Sequence, residues 1–207
     1  NGSSTDYNVK YDKDSNTLTV NGFAYNGNKI GIYANGDLKI AVVGDNTITS
    51  TDYAIRATGN LTISGTNRNS DKLSATSSGT DAIFAYDPYQ AYNESIHISD
   101  VEIEALSNES VGICAPNTVT ITNSHVVSTG KAHGIQGGYF AESESGNGNR
   151  GNINITNSYV KAEAKSTVTD AQALKGDVTV KSGGYSKNTR NLVEIKDVHE
   201  HYLCGMD

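Results

Sequence analysis

Residues 31–66 read GIYANGDLKIAVVGDNTITSTDYAIRATGNLTISGT, and one short pattern occurs in them twice. Gly31-Ile32-Tyr33-Ala34 returns as Ala54-Ile55-Arg56-Ala57. Each copy is followed, after a turn at Asn35-Gly36-Asp37 or Gly59-Asn60, by an alternating aliphatic pair, Leu38/Ile40 or Leu61/Ile63. Outward from this stretch, the small-Ile-x-small element recurs at Ala82-Ile83-Phe84-Ala85, Gly112-Ile113-Cys114-Ala115 and Gly134-Ile135-Gln136-Gly137, and with Leu at Ala173-Leu174-Lys175-Gly176. The second element follows it each time, at Ile96/Ile98, Val119/Ile121, Ile153/Ile155 and Val178/Val180. A third element pairs an aliphatic residue with a small one two positions later: Ile48/Ser50, Leu73/Ala75, Ile103/Ala105, Val126/Ser128 and Val160/Ala162, with no clear sixth copy.

Alternation with period two in pieces of three or four residues, broken by Gly and Asn turns, describes short strands with one buried face. The smallest spacing between first elements is 22 residues, from Ile113 to Ile135. Three short strands in so little chain, with extra length absorbed in turns, fit a solenoid whose equivalent strands stack in parallel. The expected fold is therefore all-β, a right-handed parallel β-helix. Leu18/Val20 and Tyr25 supply a partial leading coil, giving about seven coils and, at about 4.8 Å between strands, a rod on the order of 30 Å long. Residues 1–207 are read as one domain, with 1–17 as N-terminal cap, 18–185 as coils and 186–207 as C-terminal cap or tail. Ile32, Ile55, Ile83, Ile113, Ile135 and Leu174 should form one internal ladder.

The 207 residues include 16 Lys and Arg against 23 Asp and Glu, a formal net charge of −7. That balance offers no patch to neutralise phosphates, which argues against nucleic acid. No run approaches the roughly 18 apolar residues of a spanning helix, so membrane insertion is not expected. The chain starts at Asn1 without an apolar leader, which points to a processed or excised piece. Cys114 and Cys204 have no metal-binding spacing, and whether they pair is left open.

Because stacking fixes the buried positions, function falls to outward side chains and to loops that depart from the minimal repeat. Two loops do so at the same corner, between first and second elements: YDPYQAYN at 86–93 and GYFAESESGNGNR at 138–150. They should protrude from one edge and flank the short turn at Pro116-Asn117 as a groove. Its walls carry Tyr86, Tyr89 and Tyr92 opposite Tyr139, Phe140, Glu142 and Glu144, with Asn117 and Thr118 on the floor. Tyrosine presents an apolar face to the C–H side of a pyranose, and amides and carboxylates bind its hydroxyls, so the expected ligand is a polysaccharide or glycan. The outward first-element residues Tyr33, Arg56, Phe84, Cys114, Gln136 and Lys175 should stack as a mixed stripe.

No catalytic residue is assigned. His133 follows the coil register rather than a catalytic motif. Arg56 near Asp52 or Asp81 is the one cluster to nominate for a polysaccharide lyase or hydrolase. Asp12-x-Asp14-x-Asn16 lacks the Gly and the final Glu of a calcium loop and reads as a turn. His199-Glu200-His201 with Cys204 has the residue types of a metal site without the spacing that specifies one.

The run at 31–66, with DAIFA, VGICAPNTVTITNS and DAQALKGDVTVKSGG further on, resembles the repeat-bearing β-helix domains of gut and clostridial-type bacterial surface proteins. These are classed as carbohydrate-binding domains with a polysaccharide-lyase-like fold. The resemblance covers about residues 17–185 and lies in buried ladder and turn residues. It implies an extracellular, secreted or cell-surface attached, non-catalytic module with no required cofactor, binding plant or host polysaccharide, in some members with calcium. A structural spacer or adhesin scaffold, with a host or cell-surface protein as partner, is the alternative.

Overall fold

A computed structural model describes residues 8–89, 92–139, 149–167 and 170–197. Every regular element among them is a β-strand, and the strands form three sheets that the chain visits in rotation. The first sheet stacks Ile32–Ala34, Ile55–Ala57, Ile83–Ala85, Val111–Ala115, His133–Tyr139 and Gln172–Lys175 in parallel, which makes about six turns of a β-solenoid. The second sheet runs from Thr17–Asn21 through Leu38–Val43, Leu61–Ser64, Ser95–Ser99, Thr118–Thr122 and Asn152–Thr156 to Asp177–Lys181. Ala24–Gly27, Asp45–Ser50, Lys72–Ser77, Glu102–Ser107, His125–Gly130 and Tyr159–Ala164 form the parallel part of the third.

The first-element ladder is in register throughout: Ile32, Ile55, Ile83, Ile113, Ile135 and Leu174 are successive partners. In the second sheet Leu38/Ile40 stacks on Leu61/Ile63, Ile96/Ile98, Val119/Ile121, Ile153/Ile155 and Val178/Val180. Most of these side chains are fully buried, each contributing about 1.5–3 kcal/mol by leaving water. Where the residue before the ladder position is glycine, close approach requires it: a Cβ at Gly112 would collide with the Ser128 Oγ, and one at Gly31 with the Ile48 Cγ2, whereas Ala54, Ala82 and Ala173 have room for theirs.

The third element departs from its sequence alignment at one copy. Ile48 pairs with Ala75 rather than with Leu73, and Asn46 takes the place opposite Leu73. The true stacks are Ile48, Ala75, Ala105, Ser128 and Ala162, and next to them Ser50, Ser77 and Ser107. Buried Asn46 fills its slot by donating to the Val43 and Gly44 carbonyls and accepting from Phe23 N. The serines then do one job in three turns: Ser50, Ser77 and Ser107 donate to the carbonyls of Lys29, Asp52 and Thr80 and accept from the N–H of Asp52, Thr80 and Ser110. Each hydroxyl thereby satisfies both sides of the corner that leads into the first sheet.

The corner between the second and third sheets needs a left-handed residue in most turns. Gly22, Gly44, Asp100, Asn123, Asn157 and Ser182 occupy it with φ between 48° and 62°, save Asn123 at 47°. Asn123 donates its amide to Asp100 and Asn157 donates to Asn123, so the side chains stack as the backbone does. At the start, Val9–Asp12 lies antiparallel on Thr17–Asn21. Its turn is held by Asp12, which accepts from Asp14 N and Ser15 Oγ. At the other end, the missing sixth third-element copy is replaced by a reversed strand: Leu192–Asp197 runs antiparallel to Tyr159–Ala164 and carries Gly183–Asn188 antiparallel on its far side.

Candidate functional site

Both insertions leave the same corner, between first and second sheets, in the third and fifth turns. The second begins as a ribbon, since Gly138 and Tyr139 pair antiparallel with Arg150 and Asn149. Phe140, Glu142 and Glu144 lie outside the described residues, as do His199, Glu200, His201 and Cys204. Of Tyr139 only the backbone is described. The expected groove therefore has one described wall.

On that wall the three tyrosines differ. Tyr86 stacks on Tyr92, 5.8 Å between ring centroids and 12° between planes, and leans on Phe84 at 5.5 Å. Phe84 in turn stacks on Tyr53 at 5.2 Å and 8°. Tyr89, at the tip, is 95 % exposed. Tyr92 has a φ of 58°, the one aromatic residue in the left-handed region among the described residues, so the loop spends backbone strain to lay that ring against Tyr86. Asn117 is half-buried and spends its amide on the Asn93 carbonyl and the Ser95 hydroxyl, tying the fourth turn to the base of the loop.

The outward stripe has the expected register, Tyr33, Arg56, Phe84, Cys114, Gln136, Lys175, with unequal exposure. Tyr33 is 54 % exposed, whereas Cys114 is buried and burial pushes its thiol pKa well up. Arg56 sits over the Tyr53 ring, 5.0 Å from its centroid, and forms no ion pair with Asp52 or Asp81. Asp81 is buried, which raises its carboxyl pKa, and accepts from Val111 N. His133 is buried too. Burial, with the Lys175 charge, lowers its pKa to about 4, and its Nδ1 accepts from Gln172 N. Asp81 and His133 are thus held by corner bonds, whereas the Arg56 Nε is buried with no hydrogen-bond partner.

Sequence reasoning missed a hollow on the opposite, N-terminal side of the same loop. Its volume is about 320 Å³, and it is bounded by Asn35-Gly36-Asp37 of the first turn, Thr58-Gly59-Asn60 of the second, and Asp87, Asn93 and Glu94 of the third. Asp37 accepts from Asn60 N at 2.7 Å, Thr58 Oγ1 accepts from Gly36 N at 2.8 Å, and Asn60 Oδ1 accepts from Ser95 N at 3.0 Å. A Cβ at Gly59 would strike the Asp37 carboxylate, so glycine keeps this wall open. Glu94 is 6 % exposed and its Oε2 has no hydrogen-bond partner. A second hollow of about 350 Å³ adjoins at Asn35 and Asp37, with Leu18, Ile32 and Leu38 in its floor and the exposed rings of Tyr11 and Tyr33 at its rim.

Comparison of the chain with protein-family models, with curated proteins and with solved structures finds no match in any of the three.

Proposed function

We propose that this protein is a non-catalytic glycan-binding module, extracellular and of bacterial surface type, whose ligand lies across the corner that carries the loop 86–93. The observation that supports it is the aromatic array there: a ring exposed at 95 % at the tip, Tyr89, above stacked Tyr86 and Tyr92, beside a hollow walled by amides and carboxylates. Flat rings take the C–H face of a sugar while the polar wall takes its hydroxyls. Tyr139, Phe140, Glu142 and Glu144 of the loop 138–150 enter the same proposal as further contacts, the last three lying outside the described residues. No cofactor is needed, and calcium is an optional addition.

The test is retention on a glycan and plant-polysaccharide array in calcium and again in EDTA. The parent protein should give a saturable hit, and Tyr89→Ala with Tyr92→Ala should weaken it at least tenfold without lowering the melting temperature. Unchanged retention by the double variant overturns the reading. Loss of the parent's hit in EDTA would assign calcium a part in it.

The stacking of Tyr86 on Tyr92 favours a second reading, because rings packed on each other also serve to seal a loop onto the rod. In it the solenoid is a spacer or adhesive scaffold with a protein partner. Silence across the array selects it.

A further inference from the structure

The three sheets do not begin level. At the amino-terminal end the second sheet starts with Val9–Asp12 and Thr17–Asn21 and the third with Ala24–Gly27, whereas the first starts a turn later, at Ile32–Ala34. The outer strand of the first sheet is therefore set back, behind two strands on one side and one on the other. Hydrogen bonding identifies the groups left facing this gap. Ile32 N donates to the Ala54 carbonyl, and the Ala34 carbonyl accepts from Thr58 N, so both residues face the strand Ile55–Ala57. Peptide groups alternate in direction along a strand, which turns the N–H and C=O of Tyr33 to the side where the first sheet has no further strand. Burial records the same gap. Ile55, Ile83, Ile113, Ile135 and Leu61 are 0 % exposed, whereas Ile32 keeps 7 % and Leu38 6 %. Over these two, with Leu18 beside them, lies the hollow of about 350 Å³.

We infer that this notch accepts one extended strand of a separate polypeptide, added to the first sheet in parallel with Ile32–Ala34. The strands stacked behind it define what the newcomer carries. In each of them a large aliphatic residue lies in line with Ile32, from Ile55 to Leu174, and Ala or Gly stands two positions on. The added strand follows the same pattern, its aliphatic residue covering Ile32 and its small one Ala34. Tyr33 N–H then donates to the carbonyl of that aliphatic residue, and Tyr33 C=O accepts from the N–H of the small one. Between these two, the outward residue lies beside the exposed Tyr33 ring, where Lys or Arg suits both an aromatic face and a chain of net charge −7. A second copy does not reach the notch end to end, because it meets the protruding Val9–Asp12 and Ala24–Gly27 first. The chain itself enters at the far corner of the second sheet, where the Asn8 amide donates to the Asn21 and Gly22 carbonyls. The inference concerns the end of the rod and does not depend on the glycan reading of the loop 86–93.

The experiment is fluorescence anisotropy of a labelled peptide with the sequence of residues 51–60, TDYAIRATGN, titrated with the whole chain. This peptide carries Ala54-Ile55-Arg56-Ala57, the pattern the notch calls for. It should bind saturably, at least about tenfold more tightly than the same peptide with Ile55→Asp or with a methyl group on the Ala57 nitrogen. Tyr33→Phe should bind as the parent does. Tyr33→Pro removes an N–H on the open side of an edge strand, where proline is tolerated, and should weaken binding at least about tenfold with the melting temperature unchanged. If that variant unfolds, the N-methyl peptide decides, since it deletes the donor to Tyr33 C=O and leaves the protein intact. No saturation by about 1 mM chain, equal binding of the three peptides, or full binding by folded Tyr33→Pro would each overturn the inference. So would equal competition by a peptide of residues 1–7, which would give the notch to the chain's own start, or a dimer in light scattering that Tyr33→Pro dissolves, which would give it to a second copy.

Discussion

His133 shows how one side chain sets a pH window. Its folded pKa, about 4, lies below the ordinary 6.5 because burial and the Lys175 charge oppose the imidazolium. Between those values the unfolded chain binds a proton that the folded chain refuses, so this contribution to stability is full above pH 6.5 and falls away as pH drops to 4. The shift amounts to roughly 3 kcal/mol. His133→Gln should flatten the decline, because Gln172 already occupies the same register position in the next turn. Urea melts at closely spaced pH values check this, and equal slopes for parent and variant refute it. Asp81 acts with the opposite sign, its raised pKa favouring the folded state as pH falls, so the variant-minus-parent difference is the quantity to read. The sequence reveals His133 as a register position and conceals its burial, which depends on what the last turn lays over it.

At the scale of the strand, alternation does the specifying. Ile98 is fully buried and its neighbour His97 is exposed, one position apart on Ser95–Ser99. Ile98→Asp should leave the chain unfolded, since it creates both a cavity and an unpaired buried charge. His97→Asp should shift stability by no more than about 0.5 kcal/mol. Circular dichroism and urea melts of the two variants decide it, and a folded Ile98→Asp would contradict the inward assignment. The same alternation made the first two sheets legible, because the second carries two inward aliphatics in every turn and the first repeats one large aliphatic with an Ala or Gly two positions on. The third sheet was less so. Its inward slots accept Asn46 and Ser50 when the corner needs their hydrogen bonds, and an aliphatic pattern then locks onto Ile48 two residues out of step. The candidate site divides in a similar way. Loop 86–93 stood out as excess length, whereas the hollow beside it is made of three corners that meet only across turns. Stacking Asn35-Gly36-Asp37 over Thr58-Gly59-Asn60 by the 23-residue offset of Ile32 and Ile55 would have exposed it.

For the whole molecule the vulnerable places are its ends, where sheet edges present unpaired backbone groups. The antiparallel pair Gly183–Asn188 and Leu192–Asp197 covers the edge of Tyr159–Ala164, and Val193 and Ile195 go into the core. Deletion of residues 183–207 should leave that edge and the last turn's Leu174 and Val178 uncovered. The truncated chain should self-associate at micromolar concentration, seen as a mass increase in size-exclusion chromatography with light scattering. A stable monomer would show that the reversed strands do not protect the end. Reversal matters in a further sense. A rod assembled from equivalent rungs is a template, since each rung presents the hydrogen-bond phase that the next one copies. Inserting Leu192–Asp197 in reverse, with Gly183–Asn188 turned back again beyond it, carries the third sheet one strand past the last strands of the other two. A rung is laid as a connected unit across all three faces, and here they no longer finish level. The described end of the rod is thus a step rather than a landing, and a flat rung set down on it would touch one face and stand off the other two.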